Sequence, residues 1–281
     1  MLTFKQLPAC FMLILLFFPP FVFAKEQTTF FNQLWLKSVV SIEQQISGSS
    51  KPIGTGFLIS TKNNHILLVT AKHVVVDETN KLRSDLAYRI NLTGGESVLL
   101  SDDELMEAGV GNWFLSNTSD VAVRFMAIVK DADVLPIPQD MFLRKEHIQS
   151  ATPALILGFP MGLRSEKYAT PFVRQAVVAL THPDYFMIDG FTFPGNSGGP
   201  VVYMPTHQIG GIKLSNYIDK QMLIGIVSSY IPYQDTAVSL QTKRPRITFE
   251  ENSGLTIVMP ADEILNLVAR NDVKTYDEML K

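Results

Sequence analysis

Cysteine is almost missing from this 281-residue sequence. The single one is Cys10, so no disulfide can form within one chain. Charge is also scarce: 18% of residues are Asp, Glu, Lys or Arg against 46% hydrophobic, which excludes a chain kept unfolded by solvation. The formal net charge of −3 gives no basic excess to attract nucleic acid. Beyond residue 24 no apolar run is long enough to span a bilayer. No fixed-period repeat and no low-complexity tract is present. Outside the His73 motif, His65, His147, His182 and His207 are scattered without metal-ligand spacing, so neither a metal nor another cofactor is expected.

What is present begins with an address. Lys5 precedes an apolar run from Ala9 to Phe18, Pro19-Pro20 interrupts it, and Val22-Phe23-Ala24 supplies small or medium side chains at a cleavage position. This layout predicts a signal peptide over 1–24 and an exported, periplasmic or extracellular protein with no stable membrane span after cleavage. An uncleaved anchor is the competing reading, since the uncharged stretch from Leu7 to Ala24 is just long enough to span. Cleavage would also remove the cysteine, leaving core packing alone to hold the fold.

The remainder reads as many short strands. Val39–Ile42, Gly56–Ile59, His65–Thr70, Val121–Ile128, Ala154–Leu157, Phe172–Leu180, Gly199–Tyr203 and Met222–Ser228 are rich in Val, Ile, Leu and Phe, with Gly, Pro, Asn, Asp and Ser between them. Two stretches read as helical. Asp102–Ala108 is short; in Pro260–Arg270, Pro260 suits the first position, Asp262 and Glu263 the first turn, and Ile264, Leu265 and Val268 share a face. A polar seam at Pro136–Ser150 divides the chain into halves of similar size. The expected fold is therefore all-β, two six-stranded antiparallel barrels with a C-terminal helix: 25–145 carrying a candidate His and Asp, 146–281 carrying a candidate Ser.

Four patterns follow in order: Gly54-Thr-Gly-Phe-Leu-Ile-Ser60, Val69-Thr-Ala-Lys-His-Val-Val75, Ser119-Asp-Val-Ala-Val123 and Gly195-Asn-Ser-Gly-Gly-Pro200. A serine hydroxyl is a poor nucleophile until a base takes its proton. A neutral imidazole serves, provided a carboxylate holds its other nitrogen as the donor. His73, Asp120 and Ser197 are the residue types this chemistry needs. The resulting oxyanion needs fixed N–H donors, for which the amides of Gly195 and Ser197 are the natural pair. Singly, each pattern is an ordinary strand end or turn; jointly and in this order they point to acyl transfer.

These motifs resemble those of the trypsin/chymotrypsin-like serine proteases, closest to the Deg/HtrA-type branch. Gly54–Ser60 is similar to the strand before the histidine in that branch, Thr70-Ala-Lys-His-Val-Val75 to its histidine motif, and Asp120-Val-Ala-Val123 to its aspartate motif. Leu157-Gly-Phe-Pro-Met-Gly162 resembles a turn of its second barrel. Asp189 stands where that branch often has an Asp, and Ser253–Pro260 resembles its last strand. The likeness runs from about Val39 to Val268 and implies a double barrel with the active site in the cleft between the halves.

Departures are informative. Only a short tail follows Arg270, so the PDZ-type domain frequent in that branch is not expected. Asn196 replaces the aspartate that captures a freed N-terminus in digestive members, so activation by such a cleavage is not expected. Phe193-Pro194 stiffens the approach to the anion-binding turn. Phe191 stands at the position of the specificity-pocket floor, with Ser229 and Tyr230 along its wall. That predicts a small or medium apolar residue before the cleaved bond, not Lys or Arg. The function expected is an exported serine endopeptidase acting on polypeptides, of unspecified oligomeric state. The alternatives are a catalytically weak or silent peptide-binding, chaperone-like module and an esterase-like hydrolase.

Overall fold

The structure, a computed structural model, describes residues 31–165, 167–205 and 218–280. The leader at 1–24 and His207 therefore lie outside the described residues. Seven strands form a first sheet: β1 Val39–Ile46, β2 Ser49–Ser60, β3 Ile66–Thr70, β4 Leu86–Asn91, β5 Ser97–Ser101, β6 Phe114–Leu115 and β7 Ala122–Phe125. Their order is β5-β4-β1-β2-β3-β7-β6, antiparallel throughout. Six more, β8 Pro153–Gly158, β9 Phe172–Thr181, β10 Phe186–Asp189, β11 Pro200–Tyr203, β12 Met222–Val238 and β13 Pro245–Pro260, close into an antiparallel barrel in the order β10-β13-β12-β11-β8-β9.

The mostly-β architecture in two sheets thus matches the expectation, with one difference. The first sheet has seven strands, and its end strands β5 and β6 do not pair with each other among the described residues. β6 is only two residues long, Phe114–Leu115, too short to carry a ladder around to β5.

Burial explains the strand sequences. The centres of β2 and β3 read as unbroken apolar runs, and that of β1 as one interrupted by the buried Ser41, because both of their faces are covered: Val39, Val40, Ile42, Phe57, Leu58, Ile59, Leu67, Leu68 and Val69 are all buried. The second barrel fills its interior with Ile156, Val178, Phe186, Ile188, Val201, Ile224, Val227 and Val258. Within the first half, Arg124 of β7 is fully buried and bonded to Asp102 and to the Tyr88 hydroxyl, which also accepts from Trp113.

The five α-helices among the described residues are short: α1 Gln33–Lys37, α2 Lys72–Val75, α3 Asp102–Glu107, α4 Ala261–Val268 and α5 Asn271–Met279. α4 starts at Ala261, one residue later than expected, with Pro260 at its N-cap and not at the first helical position. α5 was not expected. It clasps the first sheet: the Tyr276 ring lies 5.7 Å from Phe114 and 5.1 Å from Phe125, and Asp277 holds His65 at 2.7 Å. Among the described residues no helix is long and apolar enough to cross a membrane.

Candidate active site

His73 is placed by the chain reversal after β3. Its four-residue helix α2 has no side-chain cap. Instead the carboxylate of Asp120, just before β7, accepts from the His73 backbone N–H at 3.0 Å through Oδ1 and meets ring Nδ1 at 2.8 Å through Oδ2. This double grip fixes both the backbone and the ring. It assigns the proton to Nδ1 and leaves Nε2 as an acceptor, without a partner among the described residues. The turn before Asp120 is itself set by Ser116, whose hydroxyl accepts from the amides of Thr118 at 3.3 Å and Ser119 at 3.1 Å. Lys72 Nζ donates to the Ser116 carbonyl at 3.1 Å.

Burial pushes the Asp120 carboxyl up, but the bonds from the His73 ring, the Ser228 hydroxyl and the His73 amide outweigh it and hold it below the ordinary carboxylate range. Ser228, on β12, is a residue that sequence reasoning did not single out. Its hydroxyl donates to Asp120 Oδ2 at 2.6 Å, and its carbonyl accepts from Ser197 Oγ at 3.3 Å. The three predicted residues therefore meet around Ser228. His73 and Asp120 are bonded directly. The Ser197 hydroxyl is bonded to the Ser228 carbonyl and not to the His73 ring.

The loop carrying Ser197 is clamped against β2. The Thr55 amide donates to the Ser197 carbonyl at 2.9 Å, and the Thr55 hydroxyl donates to the Gly195 carbonyl at 2.6 Å while accepting from the Phe159 amide at 3.1 Å. Thr55 lay within a quoted motif, yet nothing local in that motif revealed its role. Gly198 has φ +85°, and a Cβ there would stand 2.1 Å from both the Thr55 carbonyl oxygen and the Thr70 hydroxyl, so only glycine fits.

The anion-binding turn is orderly. Asn196 is buried, and its side-chain oxygen accepts from the Phe193 amide at 3.0 Å, giving the turn an internal brace where an aspartate would need a partner. The Pro194 carbonyl accepts from the Met161 amide at 2.6 Å, and the Arg174 guanidinium lies 5.4 Å from the Phe193 ring centre. Neither the Gly195 nor the Ser197 amide is engaged by an acceptor among the described residues.

Of the predicted specificity residues, Phe191 and Ser229 are exposed and Tyr230 is half-buried. Phe191 is 48% exposed and lies over Gly254. Ser229 is exposed, and the Tyr230 hydroxyl donates to Glu250 at 2.9 Å. Among the described residues no three His, Cys, Asp or Glu side chains cluster as metal ligands would.

The sequence profile of the trypsin-like peptidase domain matches residues 54–212, more than half of the chain. The chain belongs to the trypsin-like peptidase family. Two solved structures of the HtrA-type protease AlgW with tripeptide, one of them a serine-to-alanine variant, are similar to this chain, and the unsubstituted one shares its fold. The variant is 16% identical with a TM-score of 0.49, covering 85% of this chain and 62% of its own. The other is 17% identical with a TM-score of 0.50, covering 87% of this chain and 62% of its own. This family member thus spans about 62% of the length of those structures. No curated protein matches the sequence.

Proposed function

We propose that this trypsin-like peptidase is a serine endopeptidase, exported through a signal peptide at 1–24 to the periplasm or the extracellular space, and working without metal or other cofactor. Rotation about the Ser197 side-chain bond moves Oγ from the Ser228 carbonyl to His73 Nε2, which takes its proton as Oγ attacks the peptide carbonyl. Asp120 stabilises the imidazolium so formed. The Gly195 and Ser197 amides donate to the oxyanion. His73 then passes the proton to the departing nitrogen, and water repeats the cycle on the acyl-enzyme. Phe191, Ser229 and Tyr230 favour a small or medium apolar residue before the cleaved bond.

One observation supports this reading above the others. Asp120 grips His73 through ring and backbone, and Ser228 joins that pair to Ser197. The test is labelling by a fluorophosphonate probe together with cleavage of a peptide library. Labelling and cleavage should both vanish on Ser197→Ala, apart from a residual ~10³–10⁴-fold over water. Wild-type turnover in that variant, or a library profile dominated by Lys and Arg, refutes the corresponding part of the reading.

A second reading draws on the Ser197 rotamer. With Oγ held by a main-chain carbonyl, the same groove would bind peptides while turning them over slowly or not at all, as a chaperone-like module. Absence of probe labelling together with peptide binding would select it, and an ester-over-peptide preference would select an esterase-like hydrolase.

A further inference from the structure

β12 and β13 leave the barrel together. β12 lines one edge of β13 along its whole length, whereas β10 covers the other edge only from Leu255 to Val258. From Pro245 to Asn252 that outer edge has no main-chain partner among the described residues. A two-stranded arm results. Its tip is closed by the Ser239 amide, which donates to the Arg244 carbonyl at 3.0 Å, and by the Lys243 amide, which donates to the Ser239 carbonyl at 2.8 Å. Every residue from Pro245 to Glu251 is exposed. A two-stranded ribbon is marginal alone in water, and its free N–H and C=O groups are a template for another strand.

The arm has two unlike faces. On one, Tyr230 and Gln234 donate to Glu250 at 2.9 and 3.2 Å, and Thr236 meets Thr248 at 3.2 Å. On the other, the register sets Tyr233, Asp235 and Ala237 opposite Glu251, Phe249 and Ile247. Tyr233 is 58%, Ile247 59% and Phe249 56% exposed. Apolar surface and a free edge thus coincide.

Charge decides what the edge fits. The segment 243–251 reads Lys-Arg-Pro-Arg-Ile-Thr-Phe-Glu-Glu, basic at one end, acidic at the other, with Ile247 in the middle. Laid antiparallel on a second copy of itself, with Ile247 on a two-fold axis, Lys243 faces Glu251 and Arg244 faces Glu250. Pro245 faces Phe249, Arg246 faces Thr248, and Ile247 meets its own counterpart. Symmetry repeats each pair, so four opposite-charge pairs flank an apolar centre. A parallel alignment in register would set like charges together. Glu250 takes Tyr230 and Gln234 through separate oxygens, and each oxygen keeps a lone pair for Arg244. Pro245, which lacks an N–H, is the first residue of its strand, where a ladder tolerates it. The β12 edge offers no such match, since Asp235 is its one charged residue between Pro232 and Val238. An anionic lipid surface would attract the basic tip but repel Asp235, Glu250 and Glu251 on the same arm.

We propose that the partner of the arm is a second copy of this chain. The two β13 edges pair antiparallel about Ile247, giving a four-stranded sheet in the order β12-β13-β13-β12. Tyr233, Ala237, Ile247 and Phe249 of both copies then form one apolar face. The contact is isologous, so it closes at two copies and leaves no β13 edge for a third. The inference goes beyond the endopeptidase reading and does not depend on it.

The test is sedimentation velocity on the full chain over roughly 1–100 μM, the range suited to an interface smaller than the standard ~800 Å² per partner. Wild type should pass from monomer to dimer. Lys243→Glu and Glu251→Lys should each raise the dissociation constant about tenfold or more, because two attractive pairs become repulsive. An equimolar mixture of these two variants should dimerise again, since every like-charge pair is then replaced by an opposite one; this also shows that both variants are folded. Ile247→Lys, which sets two lysines face to face on the axis, should stay monomeric. In a Cys10→Ser background, Ile247→Cys should form a disulfide-linked dimer under mild oxidation. Tyr233→Cys should not, as its two copies would lie about 25 Å or more apart along the sheet. A wild type that is monomeric throughout, a dimer indifferent to Ile247→Lys, a mixture that fails to reassociate, or equal cross-linking through Tyr233→Cys overturns the proposal. So does a monomer that sediments with phosphatidylglycerol vesicles and loses them on Lys243→Glu, which would assign the tip to a lipid surface.

Discussion

Glu43 of β1 has a fully buried side chain flanked by two guanidinium groups. Arg89 meets it through two nitrogens, at 2.5 and 2.9 Å, and Arg164 through Nε at 3.0 Å; the Ser50 hydroxyl also donates to it. Glu43→Gln keeps the size and one acceptor but leaves two largely buried cations without their counter-charge. Breaking one partner out of a buried pair costs about 3–5 kcal/mol; the partial exposure of both arginines, 13% and 15%, brings the expected loss to about 3 kcal/mol. At about 2–4 °C per kcal/mol for a chain of this size, the melting temperature at pH 7 should fall by roughly 6–12 °C. The pH dependence has a definite sign. Burial pushes the Glu43 carboxyl up, but hydrogen bonds from Arg89 and Ser50 and the charges of Arg89 and Arg164 outweigh it, so its folded value lies below the ordinary 4.5. A depressed carboxyl contributes stability that is complete above its unfolded value and is lost as pH falls through the folded one. The melting-temperature gap between wild type and Glu43→Gln, followed by circular dichroism, should therefore be full at neutral pH and narrow below about pH 4.5. A gap unchanged down to about pH 3, or a variant as stable as wild type at pH 7, would refute the reasoning.

Ser228→Ala removes the donor to Asp120 Oδ2 at 2.6 Å while keeping the backbone carbonyl; one bond to a charged acceptor corresponds to a loss of about 10–100-fold in kcat/KM, with little change in melting temperature. Gly195→Ala places a Cβ 2.3 Å from the Phe159 backbone carbonyl at a φ of +98°, so fluorophosphonate labelling should slow by more than tenfold and urea unfolding should lose about 1–3 kcal/mol or more. Asp102→Ala strands the fully buried Arg124, whose Nε and Nη2 already have no hydrogen-bond partner among the described residues, and should cost about 3–5 kcal/mol in urea unfolding; an unshifted midpoint would contradict the buried pair.

Much of the fold was legible because its signals are local. Seven of the eight apolar runs fall largely on an observed strand and half of Val121–Ile128 does, while α3 begins at Asp102 as expected and α4 one residue after the expected Pro260. What escaped has little local signal. The outer half of the β12–β13 arm is strand by partnership: Gln234, Asp235 and Thr236 are extended because Glu250, Phe249 and Thr248 stand opposite, not because an alternating pattern is buried. α5 is polar, and it is held by Tyr276, whose hydroxyl takes the Gly111 amide at 2.6 Å, and by the Asp277–His65 pair, contacts with residues far away in sequence. Of the seven strands in the first sheet, β4, β5 and β6 were not among the apolar runs read as strands.

The same division runs through the site. His73, Asp120 and the turn around Ser197 are written in short contiguous motifs, whereas Ser228 and Thr55 act across the cleft and have no signature of their own. The stiff Phe193-Pro194 pair shows why this matters. Sequence alone leaves open whether it sets the anion-binding turn well or badly. The answer comes from Met161, an exposed non-glycine residue at φ 55°, whose amide holds the Pro194 carbonyl. The Pro194–Gly195 peptide is trans, so with its carbonyl tied to the 159–162 turn its N–H must point the other way, away from that turn. The turn is anchored in its own right: Arg164, just beyond it, is paired with Glu43 of the first sheet. The direction of one amide is thus fixed through a carbonyl, a strained turn and a buried ion pair drawn from three distant parts of the chain. Loss of Glu43 should for that reason slow fluorophosphonate labelling of Ser197 under conditions where the protein is still fully folded; labelling at the wild-type rate would show that the turn holds the amide without its anchor.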